Sequence, residues 1–411
     1  MASMFSYVPI VNRFVSNSSQ TRTINIPPVE VHNVETAAEK RPRTLKHLLR
    51  ANHVNHSILY HDLEFHNHLP HILGSAYLLG ADVPHLHKIY DVEAQELEPW
   101  KPSPAEIVQD DWRDFLGDAK YQRAYVDFFE DSLALRHNYQ WKGVVEEYLY
   151  EGQEPLVNCL FGGLGHPLIH LAYAYEVDNR EVAMEALGMT ATQYNFLHKY
   201  IDDSSYTKPS PIKPASPLEL FIKLHDDKRL DGLFENSGPE NIGPLLEKQE
   251  DIVMEYWNAW TLENPEKDFE LSQEAAVAFL IASVPPGTHS YNFFICHVLT
   301  TSHAVRIMLP FIPAEHRINL VRQWWLFAIT VYVAELRPKI DPDYIPPGDG
   351  SQKQWDYVVD KALNGAYSTD AHYVKALRAI KEAAMTWGDV HSRYLAAAIR
   401  FADDFEGWTF S

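Results

Sequence analysis

The run Gly163-Leu164-Gly165-His166-Pro167-Leu168-Ile169-His170-Leu171-Ala172-Tyr173 constrains the fold more than any other stretch. Proline lacks an N–H and breaks a helix interior, but it suits the first helical position. The apolar residues behind Pro167 therefore predict a buried helix that begins near His166. On that helix His166 and His170 stand four residues apart on one face. Two neutral imidazoles so placed can share one first-row metal ion. The same spacing suits two core histidines bonded to backbone carbonyls. The helix N-terminus disfavours an imidazolium and holds both rings neutral. A zinc-protease reading fails, because Pro167-Leu168-Ile169 contains no glutamate.

Other histidines sit in similar settings. In His66-Asn67-His68-Leu69-Pro70-His71 a proline again precedes an apolar helix, which Gly80 is placed to close. His68 and His71 share a face there, while His66 points elsewhere if the segment is helical. His297 lies mid-helix among Phe293, Phe294 and Val298, and a buried imidazole at that point needs a partner. His303 is turned about 240° around the same helix, so the two do not easily bind one ion. Lys375 follows His372 by three residues on an apolar-looking helix face. By its residues alone it reads as a snorkelling lysine. If buried, it would lose its charge readily, and a neutral amine can take up carbon dioxide to form a carbamate, an oxygen ligand.

Residues 1–44 lack helical periodicity and are expected to form an extended arm. Helices are expected at 44–60, 70–80, 111–135, 144–150, 218–234, 245–262, 272–283, 291–304 and 315–336. Ser368-Thr369-Asp370 is suited to cap another that runs to Trp387, and a last one ends near Phe405. Residues 81–110 read as a loop, and 202–217 as a Pro-rich connector. No segment has the period-2 alternation of a sheet core. The fold class is therefore all-α, a single large multi-helix domain over 45–411.

A formal net charge of −21 argues against nucleic acid or an anionic membrane as partner. The longest apolar stretch, Trp324 to Ala334, is too short to cross a bilayer. Two cysteines in 411 residues make no disulfide framework, and with no signal-peptide pattern at Met1 to Arg13 they point to the cytoplasm. There is no GxGxxG, P-loop, GxSxG or CxxC motif, so a Rossmann nucleotide site has no support. Twenty-one histidines and 12% aromatic residues suggest a metal or proton-transfer site beside a flat apolar ligand. Tyr291, Phe293, Phe294 and Trp112 are candidates for its walls, with Tyr173 close to the histidines.

Five motifs together resemble the questin oxidase-like family of fungal aromatic-polyketide oxygenases. They are Asn67-His68-x-x-His71 with Leu79-Gly80-Ala81, Gly163-Leu164-x-His166-Pro167-x-x-His170, Phe293-Phe294-x-x-His297-x-x-Thr300, Arg337-Pro338, and His372-x-x-Lys375-x-x-Arg378-Ala379. The resemblance implies a helical fold and oxidative opening of an anthraquinone-type ring, with dioxygen as co-substrate. It implies either a non-haem iron(II) dioxygenase or a Baeyer–Villiger-like oxidase that is metal-independent or uses NADPH. For the iron enzyme it implies His68, His166, His170, His297 and a carboxylated Lys375 as ligands. His71 stands as an alternative to His68, and His303 or His372 as an alternative to His297. His71, His372 or Tyr173 would move the phenolic proton. The implied partner is a small aromatic polyketide, and the chain is a monomer or a homodimer. A reading of another class, a helical scaffold with structural histidines, predicts that these side chains are scattered.

Overall fold

Four helices meet end-on at one point in the molecule, and their N-terminal turns decide what lies there. The computed structural model describes residues 23–345 and 353–410. Expectations for residues 1–22 lie outside them. Sixteen α-helices and four strands of two or three residues form among the described residues, so the fold is all-α. One apolar core extends from Ile24 to Phe405 on both sides of the Pro-rich connector. Residues of that connector are tied down by Asn258, which bonds the carbonyl of Tyr206, and by Ser210, which bonds that of Glu255.

The helix Leu69–Leu79 starts with Pro70 in its first turn and ends on Gly80 in the left-handed region at φ 105°. The helix His166–Val177 likewise has Pro167 in its first turn and is buried on every side. Phe293–Met308 is capped by the Asn292 side chain, which accepts from the N–H of Ile295. Ala371–Trp387 is capped by Asp370, which accepts from Tyr373. The first of these packs on the second and the fourth, and the third packs on the second and the fourth.

Several expected boundaries move. The first helix begins at Lys40, inside the expected arm, and ends at Asn55. Residues 81–110 are not all loop: Val83–Glu93 is helical, because Asp82 caps it and Pro84 fits its first turn. The expected helix from 111 begins only at Gln122, after a 3-10 turn at Ala119–Tyr121. Between Asp178 and Gln193 the sequence reading proposed no element. The structure has a buried helix there, Arg180–Thr192, capped by Asn179. It packs against His166–Val177 and carries Glu185.

Candidate metal centre

Each of the four converging helices delivers one imidazole from its first turns. His68 is the N-cap of its helix, His166 the first residue, His372 the second and His297 the fifth. One nitrogen from each of the four lies within 4.8 Å of all the others. Nε2 of His68 is 2.8 Å from Nε2 of His166, and Nε2 of His372 is 3.3 Å from Nε2 of His297.

The other nitrogens show what those facing atoms carry. Nδ1 of His166 is 2.6 Å from the carbonyl of Gly163, and Nδ1 of His297 is 2.9 Å from that of Phe293. A carbonyl only accepts, so both rings are Nδ1–H tautomers with a bare lone pair on Nε2. Burial drives His68, His166 and His372 well below the ordinary histidine range, and the neighbouring imidazoles and Lys375 push the same way. His297 falls to about 3 for the same reasons. Four neutral rings thus converge, at least two of them with bare Nε2 lone pairs, which is a donor set that a borderline divalent cation takes. The carbonyl bonds behind them are those that orient histidine ligands at metal sites.

His66, which the sequence reading set aside, stacks flat on His166, with ring centroids 3.9 Å apart and planes 2° apart. Burial holds it at about 3. Its position depends on Gly163: a Cβ there would come within 2.6 Å of Nε2 of His66. The glycine-rich run is thus a close-packing device for this ring.

His170 is not part of the converging four. Its Nδ1 is 3.0 Å from Nε2 of His71, and its Nε2 is 2.8 Å from a carboxylate oxygen of Glu185. Both nitrogens are therefore committed, and the ring lies one step behind the cluster. His71 sits between, edge-on to His68 and stacked on Tyr173 at 5.3 Å. Its Nδ1 is buried and has no hydrogen-bond partner. The Tyr173 hydroxyl is 2.5 Å from Ser75 Oγ. Tyr173 fits only because residue 74 is glycine, since a Cβ there would meet its ring at 2.6 Å.

Lys375 is 2% exposed, and its amine has no hydrogen-bond partner. Burial lowers it to about 8, against the pull of Cys296, Asp370 and Glu93. It acts electrostatically on each of the four converging histidines. His303 is buried with both nitrogens unpartnered, in the electrostatic neighbourhood of Arg378 and Arg306.

Of the expected pocket residues, Phe293 lies on the cluster, 4.4 Å from the His372 ring and 5.0 Å from that of His297. Phe294 packs edge-on behind it. Tyr291 turns away, into Phe401 and Phe405. Trp112 packs with Phe128 and Tyr148 in a separate aromatic group. The chain's end supplies two rings that the sequence reading did not name. Trp408 stands 6.1 Å from both Phe293 and His372, and Phe410 lies 4.8 Å from Phe293 and is largely exposed. The strand Gly407–Thr409 places them by pairing with Ser290–Asn292. No local pattern in the sequence signals that pairing.

The histidine-bearing motifs fall inside the region, residues 65–380, that matches the family model described as questin oxidase-like. The chain belongs to the questin oxidase-like family. Its relatives within or near that family include a questin oxidase of Aspergillus fumigatus, 25% identical across 81% of this chain and 79% of its own. The Baeyer-Villiger oxidase AgnL3 of Paecilomyces divaricatus is 25% identical across 82% and 78%. The oxidoreductase AflY of Aspergillus parasiticus is 26% identical across 79% and 70%. Among the described residues, no helix is long and apolar enough to cross a membrane.

Proposed function

We propose that the chain is an oxygenase that opens a ring of a phenolic, anthraquinone-type polyketide, using dioxygen and a non-haem iron(II) ion. His68, His166, His297 and His372 would hold the ion. Lys375 would add an oxygen ligand once its amine has taken up carbon dioxide, forming a carbamate and releasing a proton. The supporting observation is the convergence of four imidazole nitrogens within 4.8 Å of one another, with the bare Nε2 of His166 2.8 Å from Nε2 of His68. Iron(II) bound there would supply the redox chemistry that dioxygen needs, and with the carbamate as its one anionic ligand it would keep a net positive charge that favours a phenolate.

The chain's own residues do the rest. Phe293, with Trp408 and Phe410 beside it, offers a flat apolar wall that leads from the exterior to the cluster. His71 takes the phenolic proton on its unpartnered Nδ1. Tyr173 and Ser75 hold His71 in place through the stack and the hydroxyl bond. His66 fixes the plane of His166. The two buried free cysteines suit work in the reducing cytoplasm.

The test is anaerobic reconstitution with iron(II), metal analysis, and oxygen uptake with hydroxyanthraquinones including questin. One iron per chain and an iron-dependent ring-opened product are expected. Equal turnover by metal-stripped protein would sink the proposal. A second reading is favoured by the name Baeyer-Villiger oxidase carried by relatives such as AgnL3. There one oxygen atom of dioxygen enters beside a ring carbonyl and the other leaves as water, with two electrons and two protons from NADPH and solvent or from a hydroquinone form of the substrate. That reading predicts activity that survives chelation.

A further inference from the structure

Trp408 brings more than a ring to the site. Its indole N–H donates to Oδ2 of Asp370 at 2.8 Å, and Oδ1 of the same carboxylate accepts from the N–H of Tyr373 at 2.9 Å. Asp370 is the N-cap of the helix Ala371–Trp387, on which His372 is the second residue and Lys375 the fifth. Both oxygens of the cap are thus used, one by the helix and one by a side chain 38 residues further along the chain. The indole is itself held in place. The strand Gly407–Thr409 pairs in parallel with Ser290–Asn292, with Trp408 opposite Tyr291. Just before it, the N–H of Glu406 donates to the carbonyl of His289 at 2.8 Å. The Trp408 ring packs 4.8 Å from that of Phe405 and 6.0 Å from that of Phe401.

His372 depends on that helix start more than its neighbours depend on theirs. Nδ1 of His166 and Nδ1 of His297 each donate to a backbone carbonyl, which orients the ring. Among the described residues no such bond holds His372, whose one polar ring contact is with Nε2 of His297 at 3.3 Å. Its direction comes from its backbone and from the rings packed on it, Phe293 at 4.4 Å and His68 at 4.5 Å. Lys375 stands one turn on, and its amine has no hydrogen-bond partner to hold it either. The first amides of a helix have no acceptor within the helix, so the turn that carries both residues is only as firm as its cap. An aspartate cap turns readily about its last side-chain bond. A donor on its second oxygen takes that freedom away.

We infer that Trp408 is a positioning residue for the metal centre: its indole N–H locks the Asp370 cap, and the locked cap fixes the turn that presents His372 and Lys375. The strand pairing places the indole, the indole holds the carboxylate, and the carboxylate holds the helix start. Trp408 therefore ties the apolar wall to the ligand-bearing helix by a hydrogen bond, where Phe293 does so by ring contact alone. The inference rests on the metal-binding reading and is independent of which substrate is used.

The test uses the full chain, metal-free and without substrate, titrated with cobalt(II), whose visible bands report its coordination. Wild type is expected to bind one cobalt(II) per chain. Trp408→Phe keeps a ring and loses the N–H, and is expected to bind cobalt(II) about tenfold more weakly or worse, the scale of loss seen when the groups behind metal ligands are removed. Asp370→Asn offers one acceptor where the carboxylate offers two, and is expected to weaken binding as well. Adding Trp408→Phe to Asp370→Asn should then cost little more, because the bond is already lost. In metal-free Trp408→Phe the Tyr373 amide is expected to exchange its hydrogen faster, while the amides of Arg393–Asp404 keep their wild-type rates. Unchanged cobalt(II) affinity in Trp408→Phe would overturn the inference and leave the metal reading standing. Losses that simply add in the double variant would overturn it too. Failure of wild type to bind cobalt(II) would overturn the metal reading and this inference together. If Trp408→Phe does not fold, the indole N–H of Trp408 in wild type decides. Exchange as slow as that of the Tyr373 amide supports the lock, and exchange at the rate of a free indole refutes it.

Discussion

Two groups of histidines lie back to back in this core and are opposite in character. In the first, His166 and His297 donate to carbonyls and turn bare nitrogens toward each other and toward His68 and His372. In the second, His53 and His170 donate to Glu185, and His53 also to Glu130. His66 and His297 are driven down to about 3, where burial acts first and neighbouring imidazoles and Lys375 add to it. His53 is raised to about 10, because its bonds to Glu130 and Glu185 together overcome burial. Burial alone therefore does not set the state of a histidine. Two carboxylates make His53 a cation, while a carbonyl with imidazole neighbours leaves His297 neutral with a bare nitrogen.

The largest effect expected from this contrast is on acidification. His66 and His297 have folded values of about 3 against 6.5 when unfolded. Their contribution is present above 6.5 and is lost as pH falls toward 3, at roughly 1.4 kcal/mol per pH unit for each ring. His53 behaves oppositely: its contribution is complete below 6.5 and fades as pH rises through about 10. Glu185, held at about 2 by His170 and His53 despite its burial, contributes above 4.5 and loses that only as pH falls toward 2. Urea unfolding of metal-free protein should show stability falling steeply below pH 6.5. A flat profile between pH 6.5 and 4 would break the contrast.

Glu185→Gln comes next. It leaves the His53 cation without its buried carboxylate partner, and should cost about 3–5 kcal/mol in urea unfolding at neutral pH. His297→Ala sharpens the same comparison from the other side. It should weaken iron(II) binding by more than about 100-fold, as titration calorimetry would register. It should also destabilise metal-free protein less than Glu185→Gln does, because it removes one of several mutually opposed rings. Gly74→Ala is expected to cost about 1–3 kcal/mol, since its Cβ would press on Tyr173 beside His71. A melting temperature unchanged from wild type would mean that Tyr173 is free to move.

Much of the first group was legible in the chain. Proline in a first helical turn announced where Leu69–Leu79 and His166–Val177 begin, and so placed His68 and His166 at helix starts. Helical periodicity separated His297 from His303, and the structure brings only His297 into the converging four. The i, i+4 spacing of His166 and His170 did not specify a shared ion, because spacing names a face and not a partner. Glu185 captures His170 from a helix that the sequence reading passed over. His66 owes its place to the close approach of Gly163 from another element, which no local spacing carries. Val83–Glu93 is a helix inside a Pro- and acid-rich stretch, because the cap at Asp82 and Pro84 in the first turn favour one there.

The sequence by itself determined the all-α class, the helix starts at proline, and the histidine and lysine types available for chemistry. These follow from local rules: a missing N–H, a capping side chain, a 3.6-residue period. Only the tertiary structure decided which imidazoles face one another and which face a carboxylate. The protonation of a buried ring is set by what it touches, and those partners come from helices as much as 304 residues apart in the chain, as His68 and His372 are.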